Sequence, residues 1–317
     1  MTSASTVVLR PAEAGRRTAD VTGDPAATVT VRGLHAGYDG RHGYTAVLAG
    51  LDLTLAAGES LAVVGASGCG KSTLLHALAG VLTPKAGQVL VDGQVVASTN
   101  LEGNGRPGCR AGHAAYMFQR DLLLPWKTVL DNAAFAANVA GDRRRRGPED
   151  HAHKRAHAIL EEFGLGDALD ALPRKLSGGM RQRVALARTL VLGRGLVLLD
   201  EPFGSLDTLT RADLQAWLLD VMAAHPATWV LVTHDVREAV LLGDRVAVLA
   251  GRPARLEGWV EVSLSREERR VLALQETGGT LEHPGALDAA TATMSALTSR
   301  VRELLAQRHV GRQLDHR

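Results

Sequence analysis

The chain has 317 residues, 45% of them hydrophobic and only 3% aromatic, with a formal net charge of +2. That length allows a large core in one α/β domain with a subdomain, or two domains, and the core must be built from Ala, Val and Leu. The charge carries no nucleic-acid signature, Cys69 and Cys109 cannot form a disulfide framework and suit a reducing cytoplasm, and no apolar run approaches the ~18 residues of a membrane span.

Residues 1–27 are polar and interrupted by Glu13, Asp20 and Asp24, which rules out a signal-peptide h-region and predicts a disordered extension. Residues 28–32 alternate Thr-Val-Thr-Val-Arg and predict an edge strand, followed by a turn that exposes Tyr38. A second alternating strand places Leu51, Leu53 and Leu55 on one face. Leu61, Ala62, Val63 and Val64 form a short apolar run that reads as a buried strand. Residues 87–96 read as a further strand, broken by the turn Asp92-Gly93, and these outer strands pair antiparallel. Residues 100–112 are Gly-rich and predict a loop.

Residues 115–118 form another buried strand, ending at Gln119. Helical patterning covers residues 128–140 and 149–164, with the basic run Arg143–Arg146 and Gly147-Pro148 between them. A helix opens at Ser177-Gly178-Gly179 and runs to about Leu192. Leu196 to Leu199 is a strand, residues 209–224 a helix, residues 229–233 a strand, and Val236–Leu242 a short helix. Residues 245–249 and 255–264 predict a hairpin. A tail from Arg266 carries an amphipathic helix at about 287–307.

Gly65-Ala66-Ser67-Gly68-Cys69-Gly70-Lys71-Ser72-Thr73 fits G-x-x-x-x-G-K-[ST] and sits between a predicted strand and a predicted helix, the context that the motif requires. The glycines turn backbone N–H groups inward onto phosphates, and the helix adds its positive dipole end. Lys71 would reach the β- and γ-phosphates of a nucleoside triphosphate, and the Ser72 hydroxyl would ligate Mg²⁺. Asp200 and Glu201 end an apolar strand, where Asp200 would hold Mg²⁺ and Glu201 would orient and deprotonate an attacking water.

Leu176-Ser177-Gly178-Gly179-Met180 opens a helix with a second set of free amides. Alone it would be an ordinary Ser-capped helix. In a chain that already holds one phosphate site, it suggests two chains head to tail. Gln119 and His234, taken alone, would be solvated polar residues at strand ends. His151, His153 and His157 are read as a solvated helix face, Arg143–Arg146 as a flexible basic loop, and Trp217 and Trp229 as packing residues. An oxidised Cys69 would block a bound phosphate, but the sequence places no resolving thiol near it.

Taken in order, Tyr38, the phosphate loop, Gln119, Leu176 to Met180, Leu196 to Glu201, Ser205-Leu206-Asp207 and His234 resemble the motifs of ABC transporter ATP-binding subunits. The resemblance runs over residues 28–264. Met180, where the wider family most often has Gln, is similar to the nitrate/sulfonate/taurine importer branch, as are the segment from Leu123 to Asn132 and Arg252-Pro253.

The resemblance implies an α/β fold: a phosphate-loop NTPase core with a mainly parallel sheet, an antiparallel β subdomain, and a helical subdomain at about 120–192. The ATP-binding domain would span 28–265, with a helical tail at 266–317. It further implies an ATPase homodimer on the cytoplasmic face of the inner membrane, bound to two permease subunits and fed by a solute-binding protein. ATP would stack on Tyr38 and lie between residues 65–73 of one copy and Ser177, Gly178 and Gly179 of the other. Gln119 would contact Mg²⁺ and the attacking water, and His234 would bridge the γ-phosphate and the opposite Asp207. A soluble ATPase acting on DNA or ribosomes usually carries a long coiled-coil insertion or two nucleotide domains, whereas this sequence shows one phosphate loop and no heptad run. An export ATPase is disfavoured by the Pro125-Trp126 segment.

Overall fold

Alternating apolar residues in the N-terminal third build a twisted antiparallel sheet. The computed structural model describes residues 23–41, 43–99, 108–140, 148–204, 206–275 and 284–314. Residues 1–22, Arg143–Arg146, Ser205 and most of the Gly-rich loop lie outside the described residues. Strands β1 (Val29–Gly40) and β2 (Gly43–Leu55) pair antiparallel, with Val29 opposite Leu55. Strand β3 (Ser60–Gly65) leads into helix α1 (Lys71–Leu78), and β4 (Ala86–Val91), β5 (Gln94–Ser98) and the short β6 (Gly108–Cys109) follow.

Strand β7 (Ala115–Met117) precedes three helices: α2 (Val129–Ala140), α3 (Pro148–Glu162) and α4 (Gly178–Leu190). Then come β8 (Leu196–Asp200), α5 (Thr208–Ala224), β9 (Thr228–Thr233), α6 (Val236–Leu242), the hairpin β10 (Arg245–Gly251) and β11 (Ala254–Glu261), and α7 (Arg266–Gln275) and α8 (Pro284–Leu314). Among the described residues the strands form one sheet in the order β6-β5-β4-β1-β2-β11-β10-β3-β9-β8-β7.

Two readings of the N-terminal segment need correction. Residues 28–32 belong to no edge strand, because β1 is flanked by β2 on one side and β4 on the other. Tyr38 sits in β1 opposite Thr45 rather than in a turn, although the residue is still 45% exposed. Alternation reports which faces of a strand are buried and nothing about its neighbours. The loop expected over 100–112 also contains β6, which pairs with β5 through Ala97 and Cys109.

The half of the sheet from β10 through β3, β9 and β8 to β7 is parallel. Its strands are buried on both faces, so they read as continuous apolar runs. In β3, Leu61 and Val63 pack into one core with Leu74, Leu75 and Leu78 of α1, while Ala62 and Val64 face the other core with Leu186 and Trp229. Helix α1 therefore covers one face and the remaining helices the other.

The segment from Arg266 packs against this second face. Leu272, Ala273, Met294 and Val301 are buried there, and Leu304 meets Gly258 of β11. Arg269 of α7 is buried and donates to Gly243 O at 2.9 Å and to Asp244 Oδ1 at 2.6 Å. Burial works to raise the Asp244 pKa, but hydrogen bonds from Ser60 and Arg269 hold it below the usual carboxylate range. At the other end, residues 24–27 bond to the turn that leads into β8: Asp24 N–H donates to Gly193 O at 2.7 Å and Ala27 N–H to Gly195 O at 3.0 Å.

Candidate functional site

Because β3, β8 and β9 run parallel and in register, with Val64 opposite Thr233 and Asp200 opposite Val232, their C-terminal ends open on one edge of the sheet. Strand β7 joins them through Met117 opposite Leu199. Whatever follows each strand therefore lands in one place, the usual ligand position of an open parallel sheet. Gly65 and Asp200 end β3 and β8, and Glu201, His234 and Gln119 follow β8, β9 and β7.

The phosphate loop leaves β3 at Gly65 and enters α1 at Lys71. Gly70 has φ 117°, a conformation that side-chain-bearing residues rarely adopt, and a Cβ there would meet Val47 Cγ1 at 2.8 Å. Lys71 is buried, and its Nζ donates to Gly65 O at 2.9 Å and Ala66 O at 3.3 Å. The ammonium thus rests on the carbonyls of its own loop. Cys69 is buried, and burial raises its thiol pKa despite the nearby charges of Lys71 and Arg252.

Glu201 is where three of the other expected residues converge. Gln119 Nε2 donates to Glu201 Oε2 at 3.1 Å, His234 Nδ1 lies 3.2 Å from the same oxygen, and Lys71 Nζ is 4.0 Å from Oε1. Glu201 itself has φ 44°, left-handed backbone that is uncommon outside glycine, held by its N–H donating to Val232 O at 2.9 Å. Strained backbone of this kind concentrates at functional sites. Beside it, Ser72 Oγ donates to Asp200 Oδ1 at 3.1 Å. A hydroxyl and a carboxylate in contact are hard oxygen donors that suit Mg²⁺. Tyr38 stands at the rim, its hydroxyl 3.3 Å from Thr73 Oγ1 and 3.2 Å from His76 Nδ1.

Ser177, Gly178, Gly179 and Asp207 are not drawn into this cluster; among the described residues no hydrogen bond or ion pair joins them to the phosphate loop. Ser177 caps α4 by accepting from Met180 N–H at 3.2 Å, and Asp207 caps α5 by accepting from Thr210 N–H at 3.1 Å. That backbone N–H, with the Thr210 side chain, holds the Asp207 carboxyl below its usual range. The two caps are neighbours. A Cβ on Gly178 would meet Leu206 Cδ2 at 3.3 Å, and one on Gly179 would meet Thr210 Cγ2 at 3.1 Å. Ser177 and Asp207 are exposed at these helix N-termini, Gly178 is half-buried and Gly179 is buried between them.

Sequence reasoning missed the ties between α4 and the segment after Gln119. Arg181 pairs with Asp121 at 3.2 Å, and Arg188 donates to Leu122 O at 2.8 Å and to Asp121 O at 2.5 Å. Their spacing of seven, two turns on one helix face, was the available signal. Asn132 is fully buried; it accepts from Leu124 N–H at 2.7 Å and donates to Leu124 O at 3.1 Å, Lys127 O at 3.0 Å and Thr128 O at 2.9 Å. It nails down the turn that presents Trp126. Between β7, α2 and α4 lies an apolar cavity of about 400 Å³ lined by Phe118, Leu122, Phe135 and Val139.

Residues 48–204 match the family described as ABC transporter. The chain is 41% identical over 240 residues to the aliphatic sulfonates import ATP-binding protein of Agrobacterium fabrum, covering 76% of this chain and 82% of that one. It is 41% identical over 225 residues to the bicarbonate transport ATP-binding protein of Synechococcus elongatus, covering 71% of this chain and 32% of that longer one. Among solved structures it resembles a dimeric ATP-binding cassette in a post-hydrolysis state bound to ADP and phosphate, with TM-score 0.61 and 26% identity over 75% of this chain and 100% of that one.

Proposed function

The chain belongs to the ABC transporter family as an importer ATP-binding subunit, and from that premise we propose that it energises uptake of a small anionic solute of the sulfonate kind. It is an ATPase that works as a homodimer with membrane permease subunits. The observation that carries the catalytic assignment is the Glu201 carboxylate, which gathers Gln119, His234 and Lys71 while the adjoining Asp200 gathers Ser72.

In this reading the amides of residues 65–73 cradle the phosphates, and Lys71 turns from its loop carbonyls to the β- and γ-phosphate oxygens. Ser72 and Asp200, with Gln119, would hold Mg²⁺, which neutralises phosphate charge. Glu201 takes the proton of the attacking water, Gln119 orients that water, and His234 donates to the γ-phosphate. Ser177, Gly178, Gly179 and Asp207 serve the partner copy's ATP, which accounts for the absence, among the described residues, of any bond from them to their own chain's loop.

The permease docks at the apolar groove beside Trp126. Phe118, Leu122, Phe135 and Val139 line that groove and are all exposed, as is Trp126 four residues along the chain from Leu122, and an exposed apolar surface of this kind marks a protein interface. Among the described residues no helix is long and apolar enough to cross a membrane, so the placement at the cytoplasmic face of the inner membrane rests on that permease. A solute-binding protein completes the importer.

The solute class is tested by uptake in cells lacking this chain. Import of labelled taurine or an alkanesulfonate should fall to background and return with the wild-type gene. Loss of nitrate or bicarbonate uptake with sulfonate uptake intact would move the solute to another class.

Tyr38→Ala should weaken nucleotide binding about tenfold and leave hydrolysis at saturating ATP unchanged. Stacking on a base is worth ~1–3 kcal/mol by truncation, and the ring is tethered at the rim rather than at the phosphates, so the loss is uniform binding. Fluorescent-nucleotide titration measures it. A loss in Tyr44→Ala with none in Tyr38→Ala would transfer the role to Tyr44.

A further inference from the structure

Both oxygens of Asp200 are held by side chains, and one of the donors stands outside the machinery described so far. Ser72 Oγ donates to Oδ1 at 3.1 Å, and the Tyr116 hydroxyl donates to Oδ2 at 2.9 Å. Tyr116 lies on β7 opposite Leu198 of β8. Asp200 is two residues beyond Leu198, so it projects from the same face of the sheet. The phenol ring stacks with His76, with centroids 5.8 Å apart and planes at 27°, and packs at 4.6 Å against Phe118. Its hydroxyl is therefore aimed before any ligand arrives.

We propose that Tyr116 is a positioning residue for the metal-holding carboxylate: it fixes the rotation of Asp200 from the side away from Ser72. The inference rests on the reading that Ser72 and Asp200 hold Mg²⁺. A serine hydroxyl can ligate a cation through its lone pair while still donating its proton to Oδ1. That bond alone leaves the carboxylate free to swing about one oxygen. The second donor, on Oδ2, removes this freedom. Tyr116 also continues the contact from the nucleotide rim, because His76 is hydrogen-bonded to Tyr38.

Tyr116→Phe deletes one oxygen and keeps the ring against His76 and Phe118. Partners that orient a metal ligand are typically worth ~10–100-fold in metal affinity. The probe is Mn²⁺ binding to the ADP complex, followed by the electron paramagnetic resonance signal of free Mn²⁺. The Kd for Mn²⁺ should rise about tenfold, while ADP affinity in chelator and the melting temperature stay at wild-type values. Asp200→Asn is measured alongside. If it weakens Mn²⁺ binding and Tyr116→Phe does not, Tyr116 has no positioning role and the metal reading stands. If neither substitution affects Mn²⁺, the metal reading fails and the proposal falls with it. An equal loss of ADP affinity in chelator would make Tyr116 a packing residue of the nucleotide pocket and overturn the proposal.

Discussion

Glu201→Gln should bind ATP as tightly as wild type and hydrolyse it ~10²–10⁴-fold more slowly, the usual worth of a general base. The amide has the shape of the carboxylate but cannot accept a proton. Little else should change. The left-handed backbone at Glu201 is held by a main-chain bond to Val232 O at 2.9 Å, and Gln and Glu bear the same cost there. One oxygen remains to accept from Gln119, so the pocket keeps its floor. Since binding survives and turnover stops, the variant should accumulate as an ATP-bound dimer on a sizing column. Wild-type turnover in single-turnover assays would remove Glu201 from the role and leave the Gln119–His234 convergence without its chemical purpose.

The second expected result concerns the residues left outside the cluster. Lys71→Ala disables a chain's own phosphate loop, and Ser177→Arg disables the patch it offers to a partner. Each homodimer then has two defective sites. In a mixed dimer one site collects both defects and the other is wild type, so ATP should dimerise the mixture where neither variant dimerises alone. Dimer formation is the better readout, because steady-state turnover could require both sites. A site at roughly 1,000-fold excess of ATP over its Kd contributes ~4 kcal/mol to the bound state, enough to see by sedimentation with Mg²⁺ chelated to stop hydrolysis. Loss of the Ser177 cap itself costs ~1 kcal/mol of helix stability, so a thermal melt of Ser177→Arg checks that the fold survives. If mixing restores nothing, Ser177 does not act in trans.

The phosphate loop, the Asp200-Glu201 pair and the α4 cap were legible because each is a local device. Gly70 must take a backbone that other residues resist, Lys71 and Ser72 must follow it directly, and Ser177 must stand three residues before the N–H it accepts from. Such constraints are written within a few positions of the chain. The parallel strands were legible for a similar reason, since burial on both faces leaves no polar alternation in β3, β8 or β9.

What tertiary structure decided is which of these pieces meet. Gln119, Glu201 and His234 are far apart in the chain, and nothing in their neighbourhoods says that they share one carboxylate. They do so because β7, β8, β9 and β3 run parallel and open on one edge. Strand order is set by long-range pairing and has no local signature, which is also why the alternation in β1 reads as an edge strand although β2 and β4 flank it. Tyr116 reads as one apolar residue in a buried strand, and only its register against β8 turns its hydroxyl toward Asp200. The same holds for Arg269, whose charge marks it for solvent until Asp244 and the backbone carbonyls of Leu241 and Gly243 are found around it. A motif is a property of neighbours in the chain, whereas a site is a property of neighbours in space, and the parallel sheet converts the one into the other.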